Sequence, residues 1–273
     1  MMEQEAKNRG AMWLRLLTGG ASPVHDWRAV QVCDAMLAGQ AARYIAVVPD
    51  PDNRFPRARG GEVGLVEGWQ LARAVQEVVE LDRHAPVKRP IVAVIDVPSQ
   101  AYGRREEAFG IHLALAGAAG AYAEARIAGH PVIGLIVGLA MSGAFLAHGY
   151  QANRLIALDD AGVQVHAMGK ASAARVTLRS VDALEKLAAS VPPMAYDIAS
   201  YATLGILWKL LRVEDASLPG EGDIAQVRNT LEAALADILE DRERDLAGRL
   251  NGELRQASRR VRELLRTEWE AAD

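Results

Sequence analysis

Short unbroken apolar runs alternate along this chain with longer segments whose apolar residues recur at three- and four-residue spacing. The first rhythm is that of a strand buried on both faces, the second that of a helix lying over it. Residues 42–50 (ARYIAVVPD) predict a strand, and a loop rich in Pro, Arg and Gly carries the chain to Gly61. From about Glu62 to Asp82, the spacing of Val63, Val66, Leu71, Val75, Val78 and Val79 predicts a helix. Residues 90–96 (PIVAVID) form the next buried run, and the loop DVPSQAYGRREEAFG opens onto an alanine-rich helix from about Glu106 to Ala128. Residues 131–138 (PVIGLIVG) predict a strand ending at Gly138; a turn of small residues then leads into a helix opened by Ser142, Gly143 and Ala144. Residues 154–158 and 163–167 add two short strands. Strand, helix, strand, helix, strand in succession implies an α/β fold with parallel pairing and right-handed crossovers.

The rhythm changes towards the C-terminal end. Of the 53 residues from 221 to 273, 22 are charged, against 44 of the preceding 220, so this stretch reads as solvated helices laid on a core. Leu231, Leu235, Ile238 and Leu239 form one apolar stripe in it, and Leu254, Val261, Leu264 and Leu265 another. Residues 1–220 are expected to form one domain, with 221–273 a charged helical extension packing on that domain or on a partner.

Composition narrows the class. Half of the 273 residues are apolar but only 5% are aromatic, and 24 are glycine. That excludes a disordered chain and disfavours an aromatic-rich β-sandwich. A net charge of −4 and a pI near 5.9 supply no dense basic patch, so no nucleic-acid partner is expected. Cys33 stands alone, which excludes an intrachain disulfide and a thiolate metal site and fits a reducing compartment. The polar start MMEQEAKNRG carries no legible secretory signal. The uncharged stretch between Arg126 and Arg154 is interrupted by Pro131, glycines and histidines, and reads as strand, turn and helix rather than a membrane span. A soluble cytoplasmic protein without membrane insertion is the expectation.

Two strand-to-helix junctions hold the candidate chemistry. At Ser142, Gly143 and Ala144, backbone N–H groups at a helix start with no bulky side chain in the way suit a developing oxyanion. The same glycine also suits close helix packing. At the second junction Gly103 exposes backbone donors, and Arg104 and Arg105 attract a carboxylate or phosphate, unless they are surface charges. Ser142 invites a nucleophile reading, but AMSGA lacks the flanking glycines of a G-x-S-x-G elbow. His112, His130, His148 and His166 are the histidines available as a base, and none is assigned by spacing. No H-x-x-x-H pair occurs, so no metal is expected. Two amide-lined anion sites on neighbouring crossovers suit enolate chemistry at a thioester, which needs few side chains.

From Asp96 to about Thr177 the chain resembles the carboxyltransferase branch of the crotonase superfamily, and within it the malonate decarboxylase gamma subunits. One signature stands here as Asp96, Pro98, Gly103, Glu107 and Gly110, the other as Gly138, Ser142, Gly143, Ala144 and Gly149. Ser99 stands where these transferases usually have glycine, Ala144 replaces the second glycine of the oxyanion pair, and His166, Ala167 and Met168 replace a Ser-Pro-Glu stretch. The resemblance implies a crotonase-like ββα superhelix with a helical C-terminal region, over residues 1–220 and 221–273 respectively. It implies a carboxy-lyase subunit paired with a homologous beta subunit, decarboxylating a malonyl thioester to the acetyl thioester and CO2. The thioester would ride on the phosphopantetheine-type arm of an acyl carrier protein, and this chain would bind no cofactor of its own. Gly143 and Ala144, with Ser142 and Gly103, would supply the catalytic backbone; Tyr102, Arg104, Gln100, Gly138 and Met141 would line the substrate cleft. The alternatives are a non-catalytic scaffold completing the partner's site, a serine hydrolase using Ser142 with His130 or His148, and a biotin-dependent relative.

Overall fold

The computed structural model describes residues 8–250 and 252–271. Residues 1–7, most of the polar start on which the secretory reading turns, lie outside the described residues. Strands β1 (Val30–Leu37) and β2 (Gln40–Val47) make an antiparallel hairpin at one edge of a seven-stranded sheet. Next in space come β3 (Ile91–Val97), β4 (Val132–Met141), β5 (Arg154–Leu158) and β7 (Lys209–Leu211), each parallel to its neighbour. The short β6 (Gln164–His166) pairs with the far end of β4. The central strands are apolar without alternation because both faces are covered, as the pattern of residues 90–96 and 131–138 requires.

Helix α1 (Arg9–Thr18) precedes the hairpin, and α2 (Leu65–Leu81) connects β2 to β3. Between β3 and β4 run α3 (Arg104–Ala108) and α4 (Ile111–Ile127), and α5 (Ser142–Ala147) follows β4 directly. Ala114, Ala118, Ala121, Tyr122 and Ala125 make the buried face of α4. A Cβ added at Gly68 of α2 would stand only 2.7 Å from the Ala114 carbonyl oxygen, so the two backbones pass closer than any larger residue allows. The small-residue composition is therefore spent on this helix pair.

Two expected boundaries move. The helix read from Glu106 to Ala128 is two helices, because Gly110 adopts a left-handed backbone (φ 80°) that ends the first and starts the second. The strand read as ending at Gly138 runs on to Met141, because Leu139–Met141 find a partner in β6 and the Asp96 carboxylate takes the Leu139 N–H at 2.9 Å. No multi-residue turn separates strand from helix; the reversal is concentrated at Ser142, whose φ is +60°.

Helix α1, β1 and β7 were not legible as elements, since β1 mixes buried Val32 and Cys33 with exposed Asp34. Asn8 caps α1 by accepting the Ala11 N–H at 2.7 Å, and Trp13, Leu14 and Leu17 are buried. The Arg9 N–H donates to Asp96 (3.0 Å), and the Trp13 indole donates to the Ala216 carbonyl (3.0 Å) across 203 residues of chain. Asp96 thus joins α1 to β4; a side chain at Gly138 would run into its carboxylate.

The β1–β2 turn places Ala38 and Gly39 both at positive φ (48° and 77°), a geometry that suits Asn-Gly. Ala38 is exposed and pays for its left-handed backbone without compensation. Ala38→Asn is expected to stabilise the fold by about 1 kcal/mol, read as a higher urea midpoint at unchanged slope.

Beyond β6, α6 (Lys170–Val176), α7 (Val181–Ala188) and α8 (Ile198–Ala202) lead to β7, and α9 (Glu221–Glu240) then packs on the sheet. Val227, Leu231, Leu235 and Ile238 of α9 enter the main core, whereas Leu239 stays exposed. Arg154 at the start of β5 pairs with Asp237 and with Asp241 just past the end of α9, the second at 2.9 Å. Helix α10 (Gln256–Glu270) is exposed throughout, with Val261, Leu264, Leu265 and Trp269 on one face and Leu254 just before it. Among the described residues no helix is long and apolar enough to cross a membrane.

Candidate functional site

The carboxyl ends of β3, β4 and β6 meet at one edge of the sheet, the place where parallel α/β sheets offer loops and helix starts to a ligand. From β3 the chain continues through Pro98 and Ser99 to Gln100, and two backbone bonds to Val63 (3.1 and 2.9 Å) fix this segment. The Gly143 N–H donates to the side-chain oxygen of Gln100 at 3.0 Å. A Cβ at Gly143 would collide with that oxygen, so the missing side chain is what lets a carbonyl reach the amide. Ser142 aims this turn: its left-handed backbone costs about 1–2 kcal/mol in a residue with a Cβ. Ala144 is fully buried beneath it, on the same first turn, whose N–H groups have no intrahelical acceptor.

The other predicted residues divide. Gly103 is extended backbone closely approached by the buried Glu106 and by Arg57, which lies 4.0 Å from Glu106. Tyr102 and Arg104 are exposed beside it. Arg105 turns away to lie over the rings of Phe55 (5.2 Å) and Phe109 (5.8 Å). Met141 is buried with Ala173, Leu184 and Tyr196, and Gly138 makes room for Asp96. Gln100, Ser142, Gly143 and Ala144 are therefore together, with Tyr102 and Gly103 on the adjoining loop and Arg104 at the start of α3.

Neither histidine proposed as a base for Ser142 is available. His148 is fully buried, its Nδ1 accepting from the Tyr122 hydroxyl (3.0 Å) and its Nε2 donating to the Val94 carbonyl (3.0 Å). Burial pushes its pKa down to about 4, so it is a neutral packing group. His130 precedes Pro131 at the amino end of β4, the opposite end from Ser142, and its Nδ1 bonds to the Arg89 carbonyl at 2.9 Å.

His166, which spacing alone did not assign, is the histidine at the right edge. It pairs in register with Met141, one residue before Ser142. Its ring stacks on Tyr196 with centroids 3.9 Å apart and planes 11° off parallel. Burial lowers the His166 pKa and raises that of the Tyr196 hydroxyl, which donates to the Met168 carbonyl at 2.9 Å. The sequence offered it only as one of four histidines and as the first residue standing in place of the Ser-Pro-Glu stretch noted with the resemblance. A cleft of about 310 Å³ opens behind this pair, between Lys170, Glu185 and Asp197, and contains none of the predicted site residues. Among the described residues no cluster of three metal-binding side chains occurs.

The mixed sheet, with the Gly143 backbone donor at the carboxyl end of its central strand β4, has the crotonase-type fold. Transcarboxylase 12S shares the fold, with a TM-score of 0.59 and 20% identity over 78% of this chain and 38% of that one. The chain belongs to the malonate decarboxylase gamma subunit family, whose model matches residues 58–269. It is similar to a chain of a Pseudomonas malonate decarboxylase hetero-tetramer, solved in complex with coenzyme A: 64% identity over 96% of this chain and 100% of that chain, TM-score 0.93. It is also 35% identical over 167 residues to the malonyl-S-ACP:biotin-protein carboxyltransferase MADD of Malonomonas rubra. That match spans 60% of this chain and 57% of the relative's length.

Proposed function

We propose that this chain is the gamma-type subunit of a malonate decarboxylase and supplies an oxyanion-binding amide for decarboxylation of a malonyl thioester. The observation that carries this reading is the Gly143 N–H holding the Gln100 amide oxygen at 3.0 Å. That oxygen stands in for the thioester oxygen of the substrate, whose arrival displaces a flexible side chain and no backbone. When the bond between the α-carbon and the carboxylate breaks, its electron pair becomes an enolate and the charge settles on the thioester oxygen. A fixed N–H there stabilises the enolate more than the neutral carbonyl, which is what lowers the barrier. Ala144 presents the second amide of the same turn, and Tyr102, Gly103 and Arg104 form the adjoining rim.

The malonyl group reaches this edge as a thioester on the phosphopantetheine-type arm of an acyl carrier protein, so the arm is part of the substrate and the chain holds no cofactor of its own. A homologous beta subunit supplies the other oxyanion site. The hetero-tetrameric state of the Pseudomonas relative supports a heteromeric assembly, and so does the exposed apolar face of α10. Co-expression with a homologous beta subunit, an acyl carrier protein and the acyl transferase that exchanges the carrier's acetyl group for malonyl should yield a complex that releases CO2 from malonate; a stable complex that releases none even when supplied with the preformed malonyl thioester would end this reading. Within that complex, Leu264→Asp with Leu265→Asp is expected to cut co-purification of the beta subunit at least tenfold while leaving the melting temperature of the isolated chain unchanged, because both side chains are solvent-facing in it.

A further inference from the structure

We propose that His166 delivers the proton that turns the enolate into the acetyl thioester. The proposal rests on the decarboxylase reading above and adds the group which that reading lacks, since backbone amides stabilise an enolate but do not quench it. Three observations carry it. The in-register pairing of His166 with Met141 places the His166 Cα about 5 Å from the Met141 Cα, at the strand end that becomes the Ser142–Gly143 turn. It flanks that turn on the β6 side as Gln100 flanks it on the β3 side. The ring is held flat against Tyr196, which fixes its plane.

The third observation is the tether. Nδ1 lies 3.0 Å from the Met168 carbonyl oxygen and 3.2 Å from the Met168 nitrogen. Protonated Nδ1 donates to the first, and bare Nδ1 accepts from the second. Both protonation patterns are thus held in one ring orientation, and Nε2 has no hydrogen-bonding partner among the described residues. The charged and titratable neighbours around the ring pair are the Tyr196 hydroxyl, the Lys170–Glu185 ion pair (2.7 Å), and Asp197, which caps α8 through the Ser200 N–H.

The step balances with one proton from water. Nε2 takes up that proton to give the imidazolium, whose Nδ1–H donates to Met168. The Nε2–H bond then breaks, leaving its electron pair on nitrogen. The enolate double-bond pair forms the new C–H bond at the α-carbon, and the thioester carbonyl is restored. The net change is malonyl thioester carboxylate plus a proton to acetyl thioester plus CO2.

The test uses the assembled complex and measures two rates: net acetyl thioester formation, and exchange of labelled CO2 back into malonyl thioester. In His166→Asn and His166→Gln, net formation should fall about 10²-fold. Exchange per net turnover should rise by a similar factor, because the enolate then recaptures CO2. In the wild type this ratio should climb with pH as the imidazolium is depleted, and in the variants it should be flat. Net formation and exchange falling together, an unchanged pH profile, or failure of both variants to assemble would each show a structural role and overturn the proposal. A wild-type complex that releases no CO2 from malonate overturns the decarboxylase reading itself, a result separate from any His166 effect.

Discussion

Gly143→Pro is expected to lower malonate-dependent turnover of the assembled complex by about 10²–10³-fold, or roughly 3–4 kcal/mol of transition-state stabilisation. Proline removes one N–H and tolerates the first turn of a helix, where that N–H has no intrahelical acceptor. Gly143→Ala is the informative companion. Its Cβ displaces the Gln100 side chain but leaves the N–H in place, so it should retain far more activity than proline. Thermal melts of both complexes separate lost chemistry from lost fold. If the proline complex melts normally and turns over at the wild-type rate, this chain only completes its partner's site.

Acidification is expected to remove about 3 kcal/mol of stability between pH 6.5 and about 4 through His148 alone. Burial holds the folded imidazole neutral down to about 4, whereas the unfolded chain takes up the proton near 6.5. Over that window the unfolded state binds one more proton, so the contribution is complete above 6.5 and lost as pH falls towards 4. Glu67 acts in the opposite sense: burial raises its carboxyl pKa, so its contribution grows as pH falls through the raised folded value. Asp82, held low despite its burial by Arg89, loses its contribution only at more acid pH. His148→Gln isolates the imidazole, because an amide can still meet the Tyr122 hydroxyl and the Val94 carbonyl. Urea unfolding at pH 7 and pH 5 reads the difference, and an acid loss as steep in the variant as in the wild type would refute the assignment.

The elements that the sequence foretold are those whose own residues decide them. Ile91–Val97 and Arg154–Leu158 are apolar on both faces, and α2 carries its buried stripe in one register. What escaped depends on partners far along the chain. The last three residues of β4 are strand because β6 and Asp96 hold them, and the α3–α4 break is set by a single left-handed glycine in a run of helix formers. The site divides in the same way. Gly143 is legible because an amide near a helix start needs only a small residue, whereas its contact with Gln100 spans 43 positions. His166 stood in the sequence as one of four candidate histidines and no more, because its surroundings come from Tyr196 and Met168, through a stack and a tether that no spacing encodes.

The docking of α1 has a consequence for synthesis. Its indole bonds to a carbonyl 203 residues downstream, so this bond cannot form until Ala216 has left the ribosome. At about 5–20 residues per second, that is roughly 10–40 s during which α1 lies on β1, β2 and β3 with its indole N–H still without this acceptor. The docking of α1 is therefore completed late, by a segment made after the strands on which it lies.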